Sequence, residues 1–585
     1  MKVIVTTLNA KYIHTSLAIR YLKAYCERDF CIDMAEYTIH DPAMNIVSDL
    51  YMRKPDVIGF SCYIWNIEET IKIIDMLKKV MPDVIIVLGG PEVSYDTKYW
   101  MKRLPAVDFI VMGEGEETFH HLLSEIRGEQ KYHFVFGIAY RKGDGIFINP
   151  PRPKLDLTTI PSPHRFKEDL PHLSKRIIYF ETSRGCPFRC QFCLSSIEDG
   201  VRYFDKEQVK KDLLYLIENG AKMIKFVDRT FNINRDYSLE MFQFLIDNHN
   251  GCVFQFEITA DIMRPEVLEF LNEHAPEGIF RFEVGVQSTN DLTNEIIMRR
   301  QNFEKLSRTV SLVKNGGKVV QHLDLIAGLP KEDYKSFRKT FNDVFALRPE
   351  ELQLGFLKML RGTGLRKRAE EFGYQYMEHA PYEILSNDAL SFDDIVRIKR
   401  AEDILEKYWN DHRMDETIEF LVTNCFESPF DFFQQFGDYW AEQGWPKIGH
   451  QLEHLFIRLW QFLNDIQVRH LDIIKGLMIF DYFIHYQQKP RKTWWEFSLS
   501  KKEQVNIMKA IAQSETFAAF NVTEKELHKH AMIEVLPFDL EQYFKNKIIK
   551  KEQTLLVVYY NPKEERARYF TFPYETLSHT KGGHV

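Results

Sequence analysis

Residues 176–193 read RIIYFETSRGCPFRCQFC, and this stretch decides the fold. Its first part, 176–182, is an apolar run of strand length. Directly behind it Cys186, Cys190 and Cys193 fall within eight residues. A reactive loop that follows a strand is the mark of the β/α class, in which ligands sit beyond the carboxyl ends of parallel strands. Three thiolates at spacings of four and three residues can converge on one iron–sulfur cubane, because Cys is a soft anionic ligand and the short spacers keep the sulfurs together. Three ligands for four irons leave one iron open. A closed zinc site is the alternative, but it wants four protein ligands, and no fourth Cys or His lies near the triplet in sequence.

Working outward, the strand-then-helix step repeats. Further strands are expected at 222–228, 253–260, 280–287, 318–326 and 351–358, each but the last followed by a helix-period stretch. Six steps fall short of the eight of a closed barrel, so an incomplete, laterally open barrel is expected, with its chemistry at the carboxyl ends of the strands.

Upstream, short apolar runs at 2–6, 32–37, 56–63, 84–88 and 109–112 alternate with helical stretches near 15–26, 67–80 and 116–126. This predicts a doubly wound parallel sheet. Its ligand loops are 8–14, 61–65, 89–95 and 113–116, which bring forward Ser61, Gly89, Gly90, Gly113 and Glu114. The glycines would let backbone approach a ligand closely. Residues 134–149 read as a hairpin turning at Lys-Gly-Asp-Gly, and five prolines in 149–166 deny a helix and predict an extended connection. Beyond about 380 the chain turns to long aromatic-rich helical stretches such as FESPFDFFQQFGDYW and HLFIRLWQFLNDI. It ends on a predicted strand pair, TLLVVYYN with ARYFTF, and a tail, SHTKGGHV, expected to fray.

Composition narrows the function classes. The 585 residues carry 76 Lys plus Arg against 84 Asp plus Glu, a net charge of −8, with 45% hydrophobic and 27% charged residues. That is ordinary globular composition, and without a sustained basic block it gives no sign of a nucleic-acid partner. Eight cysteines are too few for a disulfide scaffold. No apolar run is long enough to span a bilayer and the start does not read as a signal peptide, so a cytoplasmic protein is expected.

ETSRGCPFRCQFC resembles the signature of the radical S-adenosylmethionine enzymes, including the aromatic Phe192 before the last cysteine. The resemblance implies that Cys186, Cys190 and Cys193 hold a four-iron four-sulfur cluster. Its open iron would be chelated by S-adenosylmethionine, and one electron, from a donor such as flavodoxin or ferredoxin, would release a deoxyadenosyl radical. It also implies roles at later strand ends: Asp228 near the methionyl amine, Glu257 toward the nucleoside, Gln287 and Ser288 in Gly285-Val-Gln287-Ser288 near the ribose, and Arg299 on the methionyl carboxylate, with Arg300 close enough to compete. The segments Asp324 to Pro330 and Arg361 to Leu365 match the fifth and sixth strand ends.

A doubly wound domain ahead of such a barrel resembles the cobalamin-binding subgroup of the family, with GFSCYIWN, VIIVLGGPEVSYD and FIVMGEGEETF as corrin loops. His14 alone matches the Asp-x-His-x-x-Gly cobalt-ligand motif of other cobalamin domains; a polar loop residue is the plain alternative. The expected fold class is α/β: a cobalamin-binding Rossmann-like domain at 1–133, a hairpin and linker at 134–170, a radical core with a partial (β/α)6 barrel at 171–378, and a mainly helical carboxy-terminal domain at 379–585. The expected function is radical chemistry with S-adenosylmethionine and cobalamin, for methyl transfer to an unactivated carbon of an unknown small-molecule or peptide substrate, or a related radical step. The alternatives are a methylthiolating enzyme whose second cluster would use Cys26, Cys31 and Cys62, a non-catalytic cobalamin sensor or carrier, and a radical enzyme with an empty amino-terminal domain.

Overall fold

The computed structural model describes all residues except 198–199, 487, 515–516, 518–521, 565 and 576–585, so the expected frayed tail lies outside the described residues. The chain divides into two compact units, Met1–Ile395 and Val396–Val585.

The first unit opens with a seven-stranded sheet. Strands β1 (Lys2–Asn9), β2 (Cys31–Thr38), β3 (Val57–Ser61), β4 (Ile85–Gly89) and β5 (Phe109–Val111) are parallel in the order β2-β1-β3-β4-β5. Helices α1 (Leu17–Cys26), α2 (Ala43–Arg53), α3 (Ile67–Val80), α4 (Pro91–Ser94), α5 (Thr97–Arg103) and α6 (Glu116–Arg127) cover both faces. The period-2 alternation of a strand sorts β1 between two cores. Val3 and Val5 pack with residues of α1 and α6, while Ile4 packs with α2 and α3. Each such side chain, removed fully from water, contributes about 1.5–3 kcal/mol. The expected hairpin forms as β6 (Ile138–Lys142) and β7 (Gly145–Ile148), but it is more than a connection: β6 pairs antiparallel with β5 and extends the sheet.

Six parallel strands then follow in the order of the chain: β8 (Ile177–Phe180), β11 (Met223–Phe226), β12 (Val253–Ile258), β13 (Phe280–Gln287), β14 (Val319–Ala327) and β15 (Glu351–Phe356). Between β8 and β11 lies a small antiparallel pair, β9 (Ser183–Gly185) and β10 (Val201–Tyr203). Adjacent strands pair from β8 to β15 and, among the described residues, no pairing joins the two ends, which is the open barrel. The intervening helices are α7 (Lys206–Glu218), α8 (Arg235–Asn248), α9 (Pro265–His274), α10 (Asp291–Ile296), α11 (Phe303–Gly316) and α12 (Tyr334–Phe345). Five of them start on an Asp or Asn whose side chain accepts an amide of the first turn: Asp205, Asn234, Asn290, Asn302 and Asp333. The sixth starts on Pro265. Each side-chain cap is worth about 1 kcal/mol and fixes where strand-end loop becomes helix.

The barrel strands alternate strictly. On β13 and β14 Phe280, Phe282, Val284, Val319, Leu323 and Leu325 are buried under the helices, with Phe226 and Phe256 stacked 4.5 Å apart in the same layer. The opposite face carries Lys225, Gln255, Glu257, Arg281, Glu283, His322, Asp324 and Glu351, all half-buried. Closed barrels fill this space with branched apolar residues. Here the interior is a polar lumen and the hydrophobic core lies outside it.

In the second unit, helices Asp415–Asn424, Pro429–Glu442, Leu452–Asp465 and Leu471–His485 pack through aromatic rings, as Phe436 does on Phe462 at 4.6 Å. The predicted strand pair forms at Thr554–Tyr559 and Arg568–Pro573, joined by a third antiparallel strand, Ala531–Leu536. Among the described residues no helix is long and apolar enough to cross a membrane.

Candidate active site

The cysteine loop is held from below by Asp228. This fully buried carboxylate, just past β11, accepts the Thr182 amide at 3.0 Å, the Thr182 hydroxyl at 2.7 Å and the Ser183 hydroxyl at 2.5 Å. It fixes the turn from β8 into the β9 strand that leads to Cys186. Gly185 then has φ +99°, and a Cβ there would lie 2.1 Å from the Gly200 carbonyl oxygen, so only glycine carries the chain into the loop.

Cys190 is buried, and Cys186 and Cys193 are half-buried. Burial raises the Cys186 and Cys190 thiols, the neighbouring cysteines add to both, and the Arg299 guanidinium opposes the rise at Cys190. Arg299 Nη1 stands 3.8 Å from Cys190 Sγ, its Nε donates to Gln301 at 3.0 Å, and its Nη2 donates to the Gly285 carbonyl. Among the described residues no His, Cys, Asp or Glu group is gathered tightly enough to hold a single metal ion. The fit to a cluster rests on three mutually interacting thiols on one loop with an arginine beside them, a donor set that suits iron–sulfur ligation.

The other expected residues separate into two groups. Glu257 stays at the end of β12, with Arg229 at 3.4 Å, and burial raises its carboxyl. Gln287 ends β13 at φ +69°, where the pairing with β14 shifts register, and its Oε1 is buried without a partner. Both belong to the barrel mouth. Ser288 does not: its fully buried hydroxyl donates to Glu332 at 2.6 Å, behind the strand. Glu332, raised to about 7 by burial, also accepts the Thr340 hydroxyl, so this pair braces the loop after β13. Arg300 is exposed, which separates it from Arg299.

A cavity of about 820 Å³ lies between the carboxyl ends of the first sheet and the barrel mouth. Its walls include Ser61, Gly89, Gly90, Gly113 and Glu114 from the sheet loops, and Glu181, Arg184 and Arg229 from the barrel. Leu194 and Ser195, the residues after Cys193, line the same cavity. Gly90 has φ +103°, and a Cβ would stand 2.6 Å from the Cys62 carbonyl, so two loops close-pack there. Tyr63 and Trp65 stack at 4.2 Å with 8° between their planes and offer a flat aromatic surface. The volume is at the upper end for ligand cavities, and the flat aromatic lining suits a large planar ring.

Glu114, in the cavity wall, is also ion-paired. Its carboxylate pairs with Arg202 at 2.5 Å and Arg184 at 3.4 Å and accepts the Leu155 amide at 2.8 Å, so it ties the first sheet to the β9–β10 pair. Similar pairs occur elsewhere in this unit. Glu36 meets Arg20 at 2.9 Å and Arg176 at 2.7 Å; burial alone would raise it, but these arginines hold it at about 2. Arg361 contacts Asp96, and its Nε donates to Tyr382 at 3.0 Å, whose hydroxyl donates to Glu92. His14 lines the cavity, its Nδ1 is 2.9 Å from the Tyr179 hydroxyl, and burial lowers its pKa, which favours the neutral ring.

The predicted loop 61–65 contains Tyr63 and Trp65, although neither ring was named, and sequence reasoning did not single out Glu181, Arg184 or Tyr179. Their signal is positional, since all lie on or just past strand ends. The amino-terminal cysteines do not gather: Cys31 pairs with Lys2 at the amino end of the sheet, whereas Cys62 follows the carboxyl end of β3.

Fold and loop together define a radical S-adenosylmethionine domain coupled to a cobalamin domain. Residues 180–344 match the family described as Radical SAM superfamily and residues 3–123 match the B12 binding domain. Residues 370–558 match a family described as a protein of unknown function, DUF4080. The cofactors that these two domains serve are a four-iron four-sulfur cluster, S-adenosylmethionine and cobalamin.

The chain is 26% identical over 399 residues to the cobalamin-dependent radical SAM methyltransferase TokK of Streptomyces tokunonensis, covering 64% of this chain and 58% of TokK. It is also 26% identical over 335 residues to the anaerobic magnesium-protoporphyrin IX monomethyl ester cyclase of Rubrivivax gelatinosus, covering 55% of this chain and 59% of that one. The structure of OxsB, a cobalamin-dependent S-adenosylmethionine radical enzyme with aqua-cobalamin and S-adenosylmethionine bound, shares the fold with a TM-score of 0.54 at 19% identity, over 82% of this chain and 78% of OxsB. The chain spans only part of the length of the curated relatives it matches, 58% of TokK, 59% of the Rubrivivax cyclase and between 44% and 62% of six others.

Proposed function

We propose that the protein is a cobalamin-dependent radical S-adenosylmethionine methyltransferase acting on an unactivated carbon of a small molecule or peptide. One observation carries this reading: Leu194 and Ser195, adjoining Cys193, form part of the wall of the same 820 Å³ cavity that the B12-domain loops line. A methyl carrier in that cavity and a radical source at the cysteine loop would then face one space. When bound, the cluster with S-adenosylmethionine supplies a hydrogen-abstracting carbon radical and cobalamin supplies the methyl group.

The chain's own residues have defined parts in this reading. Cys186, Cys190 and Cys193 hold the cluster, and Asp228 fixes the turn that leads to them. Arg299 faces Cys190 and keeps a cation where the methionyl carboxylate would approach, a role suited to a fork of N–H donors. Gln287 Oε1 offers an unpaired acceptor, and Glu257 a carboxylate, to the polar groups of the nucleoside. The paired charges around the cavity hold the two α/β parts together and shield the radical from water. The protein works in the cytoplasm with a one-electron donor.

The test is anaerobic reconstitution with iron, sulfide and hydroxocobalamin, followed by S-adenosylmethionine carrying a labelled methyl group. The expected outcome is four irons and one cobalamin per chain, release of deoxyadenosine on reduction, and label transferred to a component of a cell extract. Failure to bind four irons or S-adenosylmethionine sinks the proposal. The similarity to the cyclase favours a second reading, a radical oxidation without methyl transfer, in which deoxyadenosine forms and no label moves.

A further inference from the structure

We propose that the second unit carries a binding site for an oxyanion, the carboxylate or phosphate group of a ligand, built on Arg458. This side chain, on the helix Leu452–Asp465, is 8% exposed, and its one hydrogen-bond partner among the described residues is the His450 ring, which takes Nη1 at Nδ1. Burial, then the Arg458 and Lys407 charges, lower the His450 pKa, so the ring is a neutral acceptor. That leaves the Nε and Nη2 hydrogens, the parallel pair that receives a carboxylate or phosphate side-on.

The chain treats its other buried arginines differently. Arg20 pairs with Glu36 and Asp169, and Arg361 with Asp96, whereas no carboxylate meets Arg458 among the described residues. A buried charge is normally paired. Here the guanidinium carbon instead stands 5.1 Å from the Trp440 ring centre and 5.2 Å from that of Trp445, and aromatic faces compensate a cation only in part.

A second donor in the same cluster is unmet. Trp440 is 1% exposed, and its indole Nε1 is buried with no partner among the described residues, where such a group ordinarily finds an acceptor. Lys407 Nζ lies 5.9 Å from the Trp440 ring, and the nearby Asp403 carboxylate is taken by Lys407 itself. The cluster is therefore rich in donors and short of acceptors, and a bound oxyanion supplies what is missing. Trp445 is half-buried in the segment 444–449, GWPKIG, whose other residues are all exposed, so the cluster lies just beneath the surface. Every residue of the site belongs to the second unit, and the inference stands independently of the proposed radical chemistry.

The test titrates the full chain with inorganic phosphate and with acetate, at an ionic strength held constant with chloride, and follows tryptophan emission, to which Trp440 and Trp445 contribute. The expected result is a saturable change with one or both anions. Its Kd should weaken at least tenfold in Arg458→Met, and several-fold in Trp440→Phe, which keeps an aromatic ring and loses the N–H. Saturation by phosphate alone assigns the site to a phosphate group, by acetate alone to a carboxylate, and by both to the oxyanion they share. Emission that saturates with neither anion overturns the proposal. So does a saturable change that both variants leave unaltered, which would make Arg458 part of a structural cation–π stack only. Thermal melting without added anion shows that the variants fold, and where Arg458→Met does not, Trp440→Phe decides alone.

Discussion

Asp228 and Thr182 are joined twice: one carboxylate takes both the amide, at 3.0 Å, and the hydroxyl, at 2.7 Å, of a residue just past the first barrel strand. Because the Ser183 hydroxyl shares the same oxygen as the Thr182 hydroxyl, removing the carboxylate strands three buried donors. Each costs about 1–3 kcal/mol when left unpaired. Asp228→Ala should therefore lose most of the bound iron and lower the melting temperature, while Asp228→Asn, which keeps an acceptor, should retain an intermediate amount. Iron assay and thermal melting read both, and an alanine variant with full iron content would refute a positioning role.

Two glycines of the cavity wall make a matched pair of tests. A Cβ at Gly90 meets the Cys62 carbonyl at 2.6 Å, whereas one at Gly113 meets nothing within 4 Å, although both have positive φ. Gly113→Ala should cost only the backbone penalty of about 1–2 kcal/mol and keep cobalamin uptake. Gly90→Ala must also push two loops apart, and should cut cobalamin stoichiometry, measured by absorbance, several-fold further. Equal effects would mean that the Gly90–Cys62 packing does not shape the cavity.

Much of this was legible before any coordinates. The β/α rhythm from residue 176 onward gives all six barrel strands, because the outward Phe, Val and Leu positions and the Asx caps carry strong local signals. The cysteine spacing is equally direct. What stayed hidden depends on partners distant in sequence. Glu114 lies in a ligand loop, but its ion pairs with Arg184 and Arg202, about seventy and ninety residues on, leave no local signal. Ser288 sits in a ligand-like motif, and its hydrogen bond to Glu332, on the far side of β14, is likewise set by a residue distant in sequence. The strand Ala531–Leu536 is not legible locally, because it follows directly on a helix, Glu524–His530, and its pairing partner Thr554–Tyr559 lies about twenty residues downstream.

Glu92 gives the first sheet a pH response. It is 2% exposed, and burial raises it from its ordinary 4.5 to about 7 against the opposing Tyr382 hydrogen bond and Arg361 charge. The folded state then binds this proton more tightly than the unfolded state. Stability should be greatest below about pH 4.5, fall as pH rises toward 7, and level off above it, a loss of about 1–3 kcal/mol from this group. Glu92→Gln cannot ionise, so its stability relative to the parent should rise over the same window. Denaturant unfolding at pH 5, 6, 7 and 8 measures the difference, and a difference independent of pH would exclude Glu92 as the titrating group.

Arg299 is the residue on which binding and cluster geometry should separate. Its guanidinium contacts the Gly285 carbonyl, Gln301 Oε1 and the Cys190 sulfur at once, which needs donors spread in one plane. Lysine keeps the charge and can satisfy only part of that set. If the arginine also receives the methionyl carboxylate, Arg299→Lys should weaken S-adenosylmethionine at least tenfold, about 1.4 kcal/mol or more, while four irons remain bound. Arg299→Ala should lose affinity further and, with no cation beside Cys190, shift the cluster potential downward, since a positive charge favours the reduced, more negative cluster. Titration calorimetry and a redox titration report the two effects independently. Unchanged affinity in both variants would assign Arg299 to holding the β13 end against the cysteine loop and remove it from the cosubstrate site.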